Sequence, residues 1–440
     1  MISRRDFLGT LATGTAGLAI ASNARSYAQI MGANDRVNFA IIGLHGRGYA
    51  HLSALKGNAK TSRLAYACDV DSGILEKFIG DAPKSLGYAP KPEKDFRKML
   101  QSKDVDAITI ATPEQWHTPM AILGLEAGKH VYVEKPLSHN PHEGELLIAA
   151  QKKYGKQVQM GSQQRSSPHT IEIIGKIHDG YIGDAVYAKA WYVNNRKSMG
   201  IGKEAPVPAT LDWDLWQGPA PRRPYKDNIH PYNWHWLKLY GTGESLNNGS
   251  HEIDVARWAL QVAFPDTVTA SGGRYYFKDD WQFYDTLNTT FEYPGKSINW
   301  EGHSCQPMRL YDRDRGVLIR GTKGSVVVDR DGYDVFDPAN KKIDEFRTGH
   351  NKTASSDTIG ADSMTDAHFA NFIAAIQHGE KLHQPVESGN VCVTMLQLSN
   401  IAWEVKRELK LDSATGHILD DPKALSMTRR EYEKGWEPKV

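Results

Sequence analysis

Apolar runs of strand length alternate with helix-forming stretches through the first third of the chain. The run Val37–Ile42 (VNFAII) ends in Gly43-Leu44-His45-Gly46-Arg47-Gly48, and residues 49–55 carry helix formers, which predicts strand, glycine-rich turn and helix. Residues 63–68 form the next apolar run and close on Asp69, about 20 residues beyond the turn. Residues 105–111 and His130–Val133 predict two further buried strands. Thr118 as N-cap, Pro119 at the first helical position and Gly128 past the end predict a helix between them. Strand alternating with helix means a doubly wound parallel sheet, whose ligands bind beyond the carboxyl ends of its strands. Glu134-Lys135-Pro136 falls at such an end.

From about residue 186 the pattern changes. Segments 267–277, 285–293, 297–303 and 316–329 are β-branched and aromatic and are separated by turn residues such as Pro294-Gly295 and Lys323-Gly324. They predict a second α/β domain with a large, mostly antiparallel open sheet. Phe369, Phe372, Ile373 and Ile376, then Val393, Leu396 and Ile401, fall at helical spacing, so helices close the chain. At the other end, Ser3-Arg4-Arg5-Asp6-Phe7-Leu8 leads into an Ala/Gly/Leu-rich run and then Ser26-Tyr27-Ala28, a pattern that looks like a twin-arginine signal peptide. The apolar run is too short and diluted to span a bilayer, which takes about 20 apolar residues. The expected organisation is a signal over 1–28, a dinucleotide-binding Rossmann domain over 29–160, a substrate-binding domain over 161–385, and a helix and tail over 386–440 packing back on both.

Composition narrows the function. Among 440 residues, Lys+Arg number 53 and Asp+Glu 52, a net charge of +1 that disfavours nucleic acid or, after signal cleavage, a membrane surface as partner. Cys68, Cys305 and Cys392 lack disulfide-framework or zinc-ribbon spacing, His139 and His142 are separated by Asn140-Pro141, and no metal site is expected. The excess is aromatic, with 11 Trp and 19 Tyr. Tryptophans gather beyond the first domain among polar neighbours such as Asn194, Asn195, His230, Asn233 and His235, a mixture suited to sugar faces and hydroxyls. Trp234, Trp236 and Tyr240 are the candidate sugar contacts.

The glycine turn departs from G-x-G-x-x-G because His45 takes the second glycine position, leaving Gly43, Gly46 and Gly48 with the helix N-terminus to receive a diphosphate. Asp69 is placed to accept ribose hydroxyls and favours NAD, while Arg47 leaves NADP open.

Four motifs carry a resemblance: RLAYACD at 63–69, ATP…H at 111–117, EAGKHVYVEKPL at 126–137 and GSHEID at 249–254 are similar to the Gfo/Idh/MocA oxidoreductases, over about residues 36–410. LDWDLWQGP at 211–219 and YGTG at 240–243 resemble the exported subgroup. The resemblance implies a Rossmann domain, a second domain whose open sheet forms homo-oligomers (dimers or tetramers), and redox chemistry at a carbohydrate or cyclitol hydroxyl. It adds Thr112, Pro113, His117, Glu134 and Lys135 to the cofactor contacts, gives Lys135 the substrate hydroxyl as well, and makes His251 the proton acceptor. The family carboxylate four residues before that histidine falls on Asn247, which can hydrogen-bond but not stabilise an imidazolium as an anion would; Asp254 lies one helical turn after His251. Gln163 and Arg165 would stand beside the substrate.

The expected protein is therefore an exported, periplasmic or secreted NAD-dependent oxidoreductase of a sugar or sugar-derived polyol, with its cofactor tightly held. The alternative is a glycosidase using resident NAD for transient oxidation and elimination without net redox change. A non-catalytic sugar-binding protein is disfavoured by the joint presence of Lys135 and His251.

Overall fold

The computed structural model describes residues 36–349 and 363–440; the signal expected over 1–28 lies outside the described residues. Strands β1 (Val37–Ile42), β2 (Ser62–Cys68), β3 (Lys91–Glu93), β4 (Ala107–Ile110), β5 (His130–Val133) and β6 (Val158–Met160) form a parallel sheet in the order β3-β2-β1-β4-β5-β6. The order reverses between β1 and β4, which opens a crevice at their carboxyl ends. β3 escapes periodicity: it is three residues long, contains Pro92 and sits at the sheet edge.

The helix after β4 begins at His117, not at an N-cap on Thr118, because a 3₁₀ turn over Glu114–Trp116 runs straight into it. The Thr118 hydroxyl instead donates to the Leu137 carbonyl at 2.8 Å. Gly128, at φ +76°, follows the helix end.

The second sheet has ten strands among the described residues. β7 (Ala185–Val193) pairs in parallel with β10 (Lys296–His303), and the remaining pairs are antiparallel. With β8 (Thr267–Gly273), β9 (Thr286–Tyr293), β11 (Arg315–Gly321), β12 (Gly324–Val328), β13 (Gly332–Phe336), β14 (Lys342–Arg347), β15 (Leu409–Leu411) and β16 (Ile418–Leu419) the order is β14-β13-β12-β11-β7-β10-β9-β8-β15-β16. Alternation decides its faces. Leu287, Phe291, Ile298 and Trp300 are fully buried beneath the helices Gly249–Leu260 and Val386–Val405, each contributing roughly 1.5–3 kcal/mol of burial. Asn288 and Glu292 point the other way and are exposed.

Two segments tie the halves together. Helix Ser363–His378, assigned by sequence to the second domain, covers the first sheet: the rings of Phe369 and Phe372 each lie 6.2 Å from that of Phe39. A long strap over residues 194–243 crosses from β7 back onto the Rossmann layer. It is pinned by Ser72 N–H to the Thr210 carbonyl (2.8 Å), Asp212 N–H to Val70 (3.1 Å) and Gln115 N–H to Tyr240 (3.1 Å). Its short helix Trp213–Gln217 is N-capped by Asp212 and presents Trp213 stacked on Trp216 at 4.7 Å.

Candidate active site

The strap roofs a cavity of about 710 Å³ over the crevice. One end is built by the turn after β1. Gly43 lies at φ +88°, where a side chain would meet the Ala111 carbonyl at 2.5 Å; a Cβ at Gly48 would meet the Gly43 carbonyl at 2.4 Å, so helix Gly46–Gly57 packs directly on the turn. His45 is the N-cap residue, its side chain is exposed beside His230, and no side chain caps this helix, whose first-turn amides stay available to an anion. Asp69 accepts Leu44 N–H (2.8 Å) and Asp71 N–H (2.9 Å), which orients its carboxylate at the cavity edge. Thr112 lines the same cavity, its hydroxyl buried and without a hydrogen-bond partner among the described residues. An uncapped helix N-terminus, an oriented acid and an orphaned hydroxyl along one crevice fit a dinucleotide.

Arg47 does not reach toward Asp69 and a 2′-phosphate. Its Nε donates to Glu134 at 2.7 Å, and Glu134 also meets His51 Nε2 (3.0 Å) and Gln163 Nε2 (3.3 Å). Burial opposes ionisation of Glu134, but the Arg47 charge and the His51 hydrogen bond outweigh it and hold the carboxyl well below its usual range. The His117 ring lies between two backbone carbonyls, Nδ1 2.6 Å from Pro136 and Nε2 2.9 Å from Thr112, and its one N–H donates to either, so it braces the turn that carries Lys135.

At the catalytic end, Lys135 Nζ donates to the Asn247 carbonyl (2.5 Å) and to its side-chain Oδ1 (3.2 Å). Burial lowers the Lys135 amine to about 8, the Glu134 and Glu114 charges opposing the fall. His251, 6% exposed, lines the cavity, and burial followed by the charges of Arg330, Lys135, Arg315 and Arg47 pushes its basicity well below the ordinary histidine value. Burial thus brings the Lys135 amine down toward neutral pH while it leaves His251 neutral and weakly basic, so the proton acceptor that the resemblance placed on the histidine is better matched by the lysine. Asn247 serves the lysine and, through Nδ2, Glu244 at 3.4 Å; it makes no hydrogen bond to His251, and Asn248 separates two helices, Glu244–Asn247 and Gly249–Leu260.

The cavity gathers Gly43, His45, Gly46, Arg47, Asp69, Thr112, Pro113, His117, Glu134, Lys135, Gln163, Trp234, Asn247 and His251. Four candidates stand elsewhere. Gly48 works by helix packing. Arg165 forms a two-pronged ion pair with Asp254 (2.7 and 2.8 Å) and lies over Trp258, so both charges are spent under the helix and Asp254 is withheld from His251. Trp236 stacks on Trp281 at 4.0 Å, and Tyr240 is buried behind Trp216 with its hydroxyl donated to Gln217 at 3.2 Å. Their places in the wall are taken by Trp216 and by Tyr232, which is 46% exposed. Sequence reasoning also missed Glu114, Arg196 and Glu244. Glu114 sits in the loop after β4 beside Thr112 and Pro113, and an acid inside a predicted cofactor loop was the available signal. The buried Glu244, ion-paired with Arg196, carried none.

Residues 37–162 match the family model described as oxidoreductase family, NAD-binding Rossmann fold, and residues 216–327 match the GFO/IDH/MocA C-terminal domain. A glycosyl hydrolase family 109 protein of Saccharopolyspora erythraea is 30% identical over 226 residues, 46% of this chain and 48% of that protein. An alpha-N-acetylgalactosaminidase of Shewanella oneidensis is 26% identical over 215 residues, 44% of this chain and 46% of that protein. The matched region thus spans about half the length of these curated relatives. Among solved structures, levoglucosan dehydrogenase in complex with NADH and L-sorbose superposes with a TM-score of 0.68 at 18% identity, covering 86% of this chain and 100% of the other, which is a likeness of fold. With its Rossmann half and its C-terminal half both matched, the chain belongs to the Gfo/Idh/MocA family of NAD-binding oxidoreductases.

Proposed function

We propose that this protein oxidises a hydroxyl of a sugar or sugar-derived polyol, with Lys135 as the base. Bound NAD supplies the hydride acceptor. The carrying observation is the pair of acceptors that Asn247 offers to Lys135. A neutral amine has two N–H bonds and one lone pair; with both N–H bonds directed to Asn247, the lone pair is left for the substrate proton. The neutral His251 imidazole hydrogen-bonds the same hydroxyl and fixes its rotamer. Trp216, Trp234 and Tyr232 provide the apolar face against which a pyranose ring packs, and the roof they form keeps bulk water from the reacting carbon. Levoglucosan dehydrogenase, complexed with NADH and a sugar, supports this substrate class.

The glycosyl hydrolase relatives favour a second reading, in which the same base-assisted oxidation begins a glycoside elimination and no net redox change results. Incubation with free sugars and chromogenic glycosides, following reduced nicotinamide and released aglycone together, separates the two. Sugar oxidation without aglycone supports the first, aglycone without net reduction the second, and neither signal over a broad panel overturns both. Because the base must be unprotonated, the oxidation rate is expected to rise with pH through about 8 and then level off, a limb absent from Lys135→Met.

Export by the twin-arginine route and assembly through the open sheet complete the proposal. The residue pattern of the first 28 positions supports the former, and ten strands with helices on one face support the latter. Cell fractionation of a double variant, Arg4→Lys with Arg5→Lys, and light scattering of the purified protein test them.

A further inference from the structure

Behind the active site lies a second cavity of about 190 Å³, enclosed by the Rossmann layer, the helix Val386–Val405 and the C-terminal tail. Gln397 Oε1 and Arg430 Nη1, of residues that line it, are buried and without hydrogen-bond partners among the described residues, so its interior is polar and calls for water. It opens beside the half-exposed ion pair of Lys238 and Glu404. The partition between the two cavities includes the hydrogen bond from the Thr242 hydroxyl to Glu114 Oε2, at 2.5 Å. Glu114 lines the active-site cavity, Thr242 lines the polar one, and both are at least 97% buried.

We propose that Glu114 is a proton relay: it receives the proton that Lys135 removes from the substrate hydroxyl and passes it through the Thr242 hydroxyl to water in the second cavity. This rests on the oxidation proposed above. The steps balance. The substrate O–H bond breaks as an N–H bond forms on neutral Lys135, the carbon's hydride would pass to the nicotinamide that the crevice would hold, and the lysine ammonium returns to its neutral form by giving that proton, through water in the cavity both residues line, to the Glu114 carboxylate. Thr242 then accepts one proton from Glu114 and releases its own to water, so the net products are ketone, reduced cofactor and one solvent proton.

Three further observations favour Glu114 over the alternatives. The position of the family carboxylate is occupied by Asn247, which has no proton-accepting charge. Glu134 is held as an anion by Arg47 and His51, and Asp254 by Arg165, so neither is a ready acceptor. Glu114, in contrast, is raised to about 7 by burial, with the Thr242 hydrogen bonds and the Lys135 charge opposing and the Glu244 charge assisting. Burial raises the proton affinity of Glu114 and lowers that of Lys135, which draws the two together as a relay requires. The other charges acting on Lys135 are Glu134, Arg47 and Arg330.

The test separates relay from reaction. In the purified protein without substrate, competitive acetylation of Lys135, read by peptide mass spectrometry across pH 5–10, gives its titration midpoint. Replacing the Glu114 charge in Glu114→Gln is expected to move that midpoint down by about one pH unit, and Glu114→Asp to restore most of it. In turnover, Glu114→Gln and Thr242→Val are expected to lower kcat by about tenfold or more with little change in KM, to increase the solvent deuterium isotope effect, and to be rescued by Glu114→Asp and Thr242→Ser. An unmoved Lys135 midpoint together with wild-type kcat in Glu114→Gln overturns the relay. A moved midpoint with no oxidation of any sugar by the wild type overturns the proposed reaction and the relay's use in it, while leaving the electrostatic link between the two residues standing.

Discussion

Asn247 governs a lysine although its spacing suggested a histidine. Restoring a carboxylate there, Asn247→Asp, places an anion beside the Lys135 ammonium and stabilises the charged form. The rising limb of the pH–rate profile is expected to move upward by about one unit, equivalent to about 1.4 kcal/mol of added interaction, and an unchanged limb would remove Asn247 from the environment of the base. The role was illegible in sequence because four residues of separation place two side chains on one face only within a continuous helix. Asn248, at φ −117°, lies outside both flanking helices and redirects the side chain. Lys135 itself was legible, since its position depends on a strand end and a local turn. The lowered basicity of His251 was not, because burial, and after it the charges of Arg330, Lys135, Arg315 and Arg47 from distant segments, sets it.

Among the elements, helix Gly249–Leu260 carries two kinds of load. Its first turn brings His251 to the cavity, and its buried side holds Glu252 on Arg315 (2.7 Å) and Asp254 on Arg165. Arg165→Ala would leave the buried Asp254 with only Arg257, at 3.9 Å, and the Gln384 amide, at 3.0 Å, to hold its charge, at a cost of about 3 kcal/mol in chemical denaturation, and KM for the sugar is expected to stay unchanged in whatever fraction folds. A raised KM at full stability would return Arg165 to the substrate. The acid limb of stability follows from the same pair. Burial raises the Asp254 pKa, but Arg165 outweighs it and the folded value lies below the ordinary one. Its contribution is therefore complete above about pH 4 and is lost as the pH falls further. The central strands of the second sheet were read from their β-branched segments, but its outer strands were not, and the strap was visible only as a run of motif residues. Its conformation is held by backbone hydrogen bonds to residues 70, 72 and 115, which no local pattern records.

Across the whole molecule, the boundary drawn near residue 160 describes the sheets better than the cores. Phe39, in the first strand, is enclosed by Phe369 and Phe372 from a helix that comes after nearly every strand of the second sheet. These two rings and Ile373 supply several kcal/mol of burial, a large part of the roughly 5–15 kcal/mol by which a domain is stable. A fragment of residues 36–162 is accordingly expected to show no cooperative unfolding transition and to bind NAD at least tenfold more weakly than the intact chain, measured by denaturant titration and calorimetry. A cooperative, NAD-binding fragment would show the helix to be dispensable.

That late helix also sets a clock. When the ribosome has made all six strands of the first sheet, their apolar face still lacks its cover, and about 200 residues more must emerge before Phe369 arrives. The nucleotide-binding half therefore completes its core only after most strands of the second sheet have been made, so the two halves are bound to fold together rather than in turn.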